Sequence, residues 1–166
     1  MTPAADDRAT RLLVAAPGHN LWDERVLRTV RAGSRVHRCT LALDAETLAA
    51  ARPADVQRAR ERLGDGVDLL PLPAWPRVRG LSRLTRHLYA HRIARQARAL
   101  AADVVHVHES GILGLMIADR VRRVLPRARI VFDYHDWIPD EVAASVRNVP
   151  ALYALDLRTW MMRLRR

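Results

Sequence analysis

Short, mostly apolar runs alternate along the chain with segments in which apolar residues recur at helical spacing. The runs predict five strands, at Arg11 to Ala16, Arg38 to Leu43, Val67 to Leu70, Val104 to His108 and Arg129 to Phe132. The helical spacing predicts helices from Trp22, from Ala45 to Leu63 with an interruption at Pro53, from Ser82 to about Ala101, and from Gly111 to Leu125. This order predicts an α/β fold, a single Rossmann-like doubly wound parallel sheet of about five strands with helices on both faces.

The long helix from Ser82 carries many arginines, so its buried face has to be found among the remaining positions. The stripe expected to face the core consists of Leu84, Leu88, Ile93, Ala97 and Leu100. A last helix is expected at 151–164, with an aromatic and apolar stripe that needs a cover. Residues 1–10 are expected to form a flexible tail and 11–166 one domain.

Length and charge restrict the class of protein. The 166 residues suit one domain, and the formal net charge is +10, from 28 basic and 18 acidic residues. All 28 basic residues are arginine and they are spread over nearly every segment, with no motif typical of nucleic-acid recognition. We therefore expect no nucleic-acid partner.

Cysteine content and apolar run length bear on the compartment. The single cysteine, Cys39, excludes an internal disulfide and a thiolate metal cluster. The longest apolar runs fall short of the ~20 residues of a membrane span, and Asp6 and Asp7 do not suit a signal peptide. We expect a cytoplasmic protein. The basic helix and the Trp75 loop, which continues into Arg77 and Arg79, also fit peripheral contact with the anionic inner membrane face, with a solvated charged face as the alternative.

Polar residues collect in three loops that follow predicted strands one, four and five. In a sheet of strand order 3-2-1-4-5 these loops meet at the carboxyl edge, where strand order reverses and ligands bind. The candidate catalytic residue is His135, which lies between two aspartates just past strand five. The candidate substrate-binding residues are Gly18, His19, Asn20, His108, Glu109, Ser110, Asp133 and Asp136.

Other chemistries suit these loops less well. The first loop lacks the glycine triplet of a dinucleotide fold, which argues against a nicotinamide enzyme. Gly18 is compatible with a positive backbone angle, a close ligand or a plain turn, and Asn20 and Asp23 are compatible with helix caps. Asp44, at the end of strand two, suits the start of the next helix.

A metal site is the alternative interpretation of strand four. His106 and His108 are two residues apart and share one face of a strand, so both could bind an ion with Asp133 or Asp136 completing the shell. A metal-dependent hydrolase using His106, His108 and Asp133 is therefore one hypothesis. The absence of a third histidine fixed by spacing favours a site without metal.

Three segments together resemble the amino-terminal domain of family 4 glycosyltransferases of the GT-B type. They are the strand Arg11 to Ala16 running into Pro17-Gly18-His19 and 23–28, the strand-four motif 103–109, and the strand-five motif 131–141 with its aspartate, histidine and acidic residues. The resemblance covers about residues 11–164. It implies an acceptor-side Rossmann domain, half of a GT-B architecture, in a retaining, metal-independent transfer from a nucleotide-sugar co-substrate with no other cofactor.

The resemblance also implies roles for residues. His135 would approach the donor sugar, the Gly18 loop would lie near the phosphates, and His108 to Ser110 would line the cleft. The expected acceptors are cell-envelope, lipid-linked or glycan molecules. The donor-binding domain of the family is absent from these residues, so we expect a truncated product, an excised domain or one subunit of a split enzyme, inactive without a second domain. A non-catalytic binding module is the competing hypothesis.

Overall fold

The computed structural model describes residues 9–75, 82–109 and 112–133. Its strands are β1 (Arg11–Ala16), β2 (Arg38–Asp44), β3 (Val67–Leu72), β4 (Val104–His108) and β5 (Arg129–Asp133). Its helices are α1 (Glu24–Ser34), α2 (Ala45–Ala50), α3 (Pro53–Leu63), α4 (Ser82–Ala99) and α5 (Ile112–Val124). All neighbouring strands are parallel, in the order β3-β2-β1-β4-β5. The predicted fold is confirmed, while residues 1–8 of the tail expected at 1–10 and the helix expected at 151–164 lie outside the described residues.

Helices cover both faces of the sheet, and the alternation of side chains along β1 shows how. Leu13 and Ala15 belong to a core cluster built with α4 and α5. Leu12, Val14 and Ala16 belong to a second cluster built with α1 and α3. A central parallel strand buried on both sides needs apolar residues at every position, which explains the continuous apolar run in the sequence.

Several element ends differ from the expected ones for local reasons. Helix α1 begins at Glu24 rather than Trp22, because Asp23 caps it by accepting hydrogen bonds from the backbone N–H groups of Arg25 and Val26. Strand β3 continues to Leu72 through Pro71, which an edge strand tolerates because one side of its backbone has no ladder partner among the described strands.

The expected core stripe of α4 is wrong at two positions. Leu84 and Leu88 are 48% and 40% exposed, whereas Thr85 and Tyr89 are buried in their place. Ile93 and Ala97 are buried as expected. Helix α4 is apolar on two faces in its first half, so apolar spacing alone could not identify which face packs on the sheet.

The two halves of the sheet meet between β1 and β4. Chain connections from β1 lead to the β2 side and those from β4 lead to the β5 side, so the loops that follow β1 and β4 diverge and leave a crevice at the carboxyl edge. The described residues predicted to carry chemistry, which follow β1 or end β4 and β5, lie at this edge.

Candidate functional site

His108, the last residue of β4, is at the centre of the candidate site. Its side chain is fully buried (0% exposed) on the face that α1 covers. Nε2 lies 3.1 Å from Thr29 Oγ1 in α1, and Nδ1 lies 2.8 Å from Asp133 Oδ2. Asp133 is the β5 residue in register with His108, and its side chain is 32% exposed. A buried imidazole is therefore held between a helix hydroxyl and a carboxylate that reaches solvent.

His19, in the loop after β1, faces His108 across the crevice. The two rings meet edge to face, with centroids 6.0 Å apart. His19 Nδ1 lies 2.8 Å from Asp23 Oδ2, which fixes the ring relative to the start of α1. Burial would raise the pKa of Asp23, but the hydrogen bonds from His19 and from two backbone N–H groups outweigh it and lower the pKa to about 2. His19, His108 and Asp133 thus form a continuous line across the strand-order reversal.

The Gly18 turn is held by a hydrogen bond to Asp44, the last residue of β2. Its backbone N–H donates a 2.6 Å hydrogen bond to Asp44 Oδ2, and the Tyr89 hydroxyl donates to Asp44 Oδ1, also at 2.6 Å. Gly18 has φ of +76°, and a Cβ there would meet no heavy atom within 4 Å, so the turn requires glycine for its backbone angle. Asp44 makes no capping hydrogen bond to α2. Its role is to tie the first loop to α4.

His106 lies behind His108 on the same face of β4, as its spacing predicts. The two rings stack with centroids 4.4 Å apart and planes 13° from parallel. Burial lowers the pKa of His106, against an opposing effect of the Asp133 charge. Its Nε2 is buried and makes no hydrogen bond within the described part of the chain. A neutral imidazole packed on its neighbour is the state this environment favours.

His106, His108 and Asp133 are also the residues that could hold a metal ion. One potential ligand atom from each lies within 4.8 Å of the others. An imidazole binds a metal in the plane of its ring, and two stacked, nearly parallel rings cannot both direct a nitrogen at one ion. Both nitrogens of His108 also have close oxygen neighbours. An ion shared by the two histidines would require rotation of at least one ring.

The remaining predicted residues divide into two groups. Asn20 Oδ1 accepts a 2.8 Å hydrogen bond from the backbone N–H of Trp22, so this side chain shapes the loop. Glu109 follows β4 and is partly buried at the edge of the crevice. Ser110, His135 and Asp136 lie outside the described residues.

The sequence did not predict the supporting role of four residues at the site. Thr29 and Tyr89 belong to helices and Asp44 ends a strand, and their partners are 26 to 79 residues away in the chain. Gly114 lets α5 approach the β4–α5 loop, because a Cβ there would collide with the carbonyl oxygen of Glu109. A glycine among the apolar residues of the first half of α5 was the one available signal.

Comparison with solved structures gives matches at low sequence identity. A glycosyltransferase of kitacinnamycin matches with a TM-score of 0.51 and 17% identity, covering 92% of this chain and 39% of that one. This chain therefore spans about two fifths of the length of that neighbour. The C-terminal domain of a Pyrococcus furiosus hydrogenase matches with a TM-score of 0.47 and 13% identity, covering 80% of this chain and 97% of that one. A universal stress protein in complex with cAMP matches with a TM-score of 0.39 and 15% identity, covering 76% of this chain and 97% of that one. No family model and no curated protein matches the sequence.

Proposed function

We propose that this chain is the acceptor-side domain of a glycosyltransferase of the GT-B type. In this proposal it works with a donor-binding domain and transfers a sugar from a nucleotide-sugar to a cell-envelope, lipid-linked or glycan acceptor, without a metal and with retention. The fold similarity to a glycosyltransferase and the three motifs of the sequence support this assignment.

The observation that carries the proposal is the line of His19, His108 and Asp133 across the crevice. The loop after β1 and the last residues of β4 and β5 contribute one polar side chain each at the edge where doubly wound sheets bind ligands. Only part of this line reaches solvent, through Asp133 and the partly exposed ring of His19. Both groups can form hydrogen bonds with a hydroxyl group, which is the functional group that every sugar acceptor presents.

The buried residues have a positioning role in this proposal. His108 holds the Asp133 carboxylate at the end of β5, and Asp44 holds the Gly18 turn that carries His19. Binding groups fixed in this way lose little freedom when a substrate arrives. His135 is proposed as the group that approaches the donor sugar, on the basis of the resemblance alone.

Nucleotide release provides the test. The chain would be joined to or mixed with candidate donor-binding domains, and nucleotide release would be measured with several nucleotide-sugars and acceptors. Release that needs both components is the expected result. A binding module would instead hold the acceptor with the same affinity whether or not the donor domain was present, and would release no nucleotide with any partner.

A metal-dependent hydrolase is the second candidate, favoured by one observation. The ligand atoms of His106, His108 and Asp133 lie within 4.8 Å of one another. Such an enzyme would purify with about one bound metal ion per chain and would lose it on substitution of His106.

A further inference from the structure

The exposed face of α4 carries an unusual sequence of side chains. Its outermost stripe, at spacings of four and three residues, consists of Leu84, Leu88, His91, Arg95 and Arg98, all of which are exposed. The opposite face packs in the core through Tyr89 and Ile93. The exposed stripe is therefore apolar in the first half of the helix and basic in the second.

The segment after β3 adds an aromatic ring to the apolar half. Trp75 is 43% exposed, and its ring packs on that of Tyr89 with centroids 4.5 Å apart. The guanidinium of Arg92 donates to the carbonyl oxygen of Ala74. Leu88 and Arg92 are neighbours on the helix surface, one turn apart, so the apolar half of the stripe lies beside the segment that carries Trp75.

The charge of this face has one sign. Helix α4 contains five arginines and no aspartate or glutamate, so it contributes half of the formal net charge of +10. Arg92, Arg95 and Arg98 are exposed. One N–H group of Arg92 donates to Ala74, and the long apolar stems of Arg95 and Arg98 allow their guanidinium groups to extend beyond the helix. The face thus combines side chains that favour hydrocarbon with side chains that favour phosphate.

We propose that Trp75, Leu84, Leu88, Arg92 and Arg95 form a docking surface for an anionic lipid bilayer. In this arrangement Trp75 and the leucines enter the headgroup and acyl boundary, and the arginines bind lipid phosphates. Nucleic acid would use the arginines but would leave two exposed leucines without a partner, so the bilayer accounts for more of the surface. None of the helices within the described residues is long and apolar enough to cross a membrane.

The position of the surface relates it to the candidate site. Helix α4 follows β3, so its first turns start at the carboxyl edge of the sheet, and Tyr89 connects Trp75 to Asp44 and the Gly18 turn. The apolar half of the surface is therefore at the same edge of the sheet as the crevice. The surface itself does not depend on sugar transfer, and its test requires no sugar.

Vesicle sedimentation tests the proposal with the full chain. Vesicles of phosphatidylcholine alone are compared with vesicles containing about 30% phosphatidylglycerol, at low and high salt. The chain should bind the anionic vesicles and bind less at high salt. Leu84→Ser with Leu88→Ser should weaken binding by about tenfold or more, and Arg92→Gln with Arg95→Gln should weaken it and reduce its salt dependence.

Matched controls separate this surface from general basicity. Val36→Ser removes an exposed apolar side chain elsewhere, and Arg127→Gln removes an exposed arginine in the α5–β5 turn. Neither should change vesicle binding, and circular dichroism of every variant checks the fold. Quenching of tryptophan fluorescence by brominated lipid should decrease in Trp75→Phe.

Three results would overturn the proposal. One is equal binding of the parent chain to neutral and anionic vesicles, or to neither. Another is vesicle binding by the leucine pair variant at parent affinity, which would place the contact elsewhere on the chain. The third is binding to nucleic acid that exceeds vesicle binding and depends on the arginines but not the leucines.

Discussion

The Tyr89 hydroxyl donates a 2.6 Å hydrogen bond to Asp44 Oδ1 and so ties the middle of α4 to the end of β2. The other carboxylate oxygen accepts from the backbone N–H of Gly18. Burial raises the pKa of Tyr89, and the hydrogen bond to Asp44 raises it further, so the phenol stays protonated and keeps donating. One carboxylate therefore couples the loop that carries His19 to the helix that carries the proposed docking surface.

Replacing Tyr89 with phenylalanine should destabilise the chain by about 1–3 kcal/mol, because Asp44 loses a hydrogen bond in a partly buried position. Chemical denaturation measures the change. In a double-mutant cycle with Asp44→Asn the two substitutions should be clearly non-additive. Additive effects would show that the contact contributes nothing to stability.

Asp23 should make stability depend on pH in a defined range. Its pKa in the folded chain is about 2, below the usual 3.8, so its contribution is fully present above about pH 4 and is lost as the pH falls towards 2. Asp23→Ala should cost about 1–2 kcal/mol at neutral pH and progressively less on acidification. Asp65→Ala, at an exposed turn position, is the control and should cost little at any pH. A cost for Asp23→Ala that is constant with pH would disprove the ionised cap.

Gly114 should tolerate no side chain. A Cβ at this position would collide with the Glu109 carbonyl and approach the Phe132 ring, so Gly114→Ala has to displace backbone at the edge of the site. We expect a loss of about 1–3 kcal/mol despite the better helix propensity of alanine. Gly66→Ala, where a Cβ meets nothing within 4 Å, should remain within about 0.5 kcal/mol of the parent. Equal stability of the two variants would contradict the close approach.

Metal analysis should give well below about one equivalent per chain in protein purified without chelator, because the stacked histidines cannot converge on one ion without rearrangement. Elemental analysis of the parent and of His106→Ala makes the comparison. About one zinc per parent chain, absent from the variant, would support the hydrolase instead.

The sheet could be predicted from the sequence because buried parallel strands need apolar runs, and β1, β4 and β5 supply them. The loops around His19, His108 and Asp133 could be predicted because strand ends of such a sheet converge. The contacts of Asp44 could not be predicted from the sequence, since they join residues 26 and 45 positions apart and leave no local pattern. The exposure of Leu84 could not be predicted either, because the apolar spacing on α4 is compatible with burial of either of two helix faces.

The most direct test of the proposed transfer is nucleotide release by the chain combined with a donor-binding domain. His135→Ala should lower turnover by about 10²-fold or more, as loss of a positioned catalytic group does. His19→Ala should also lower turnover, with a higher KM for the acceptor. His37→Ala, between α1 and β2, is the matched histidine control and should leave turnover unchanged. Turnover of His19→Ala and His135→Ala equal to the parent, with the fold intact, would contradict the assignment of this crevice to sugar transfer.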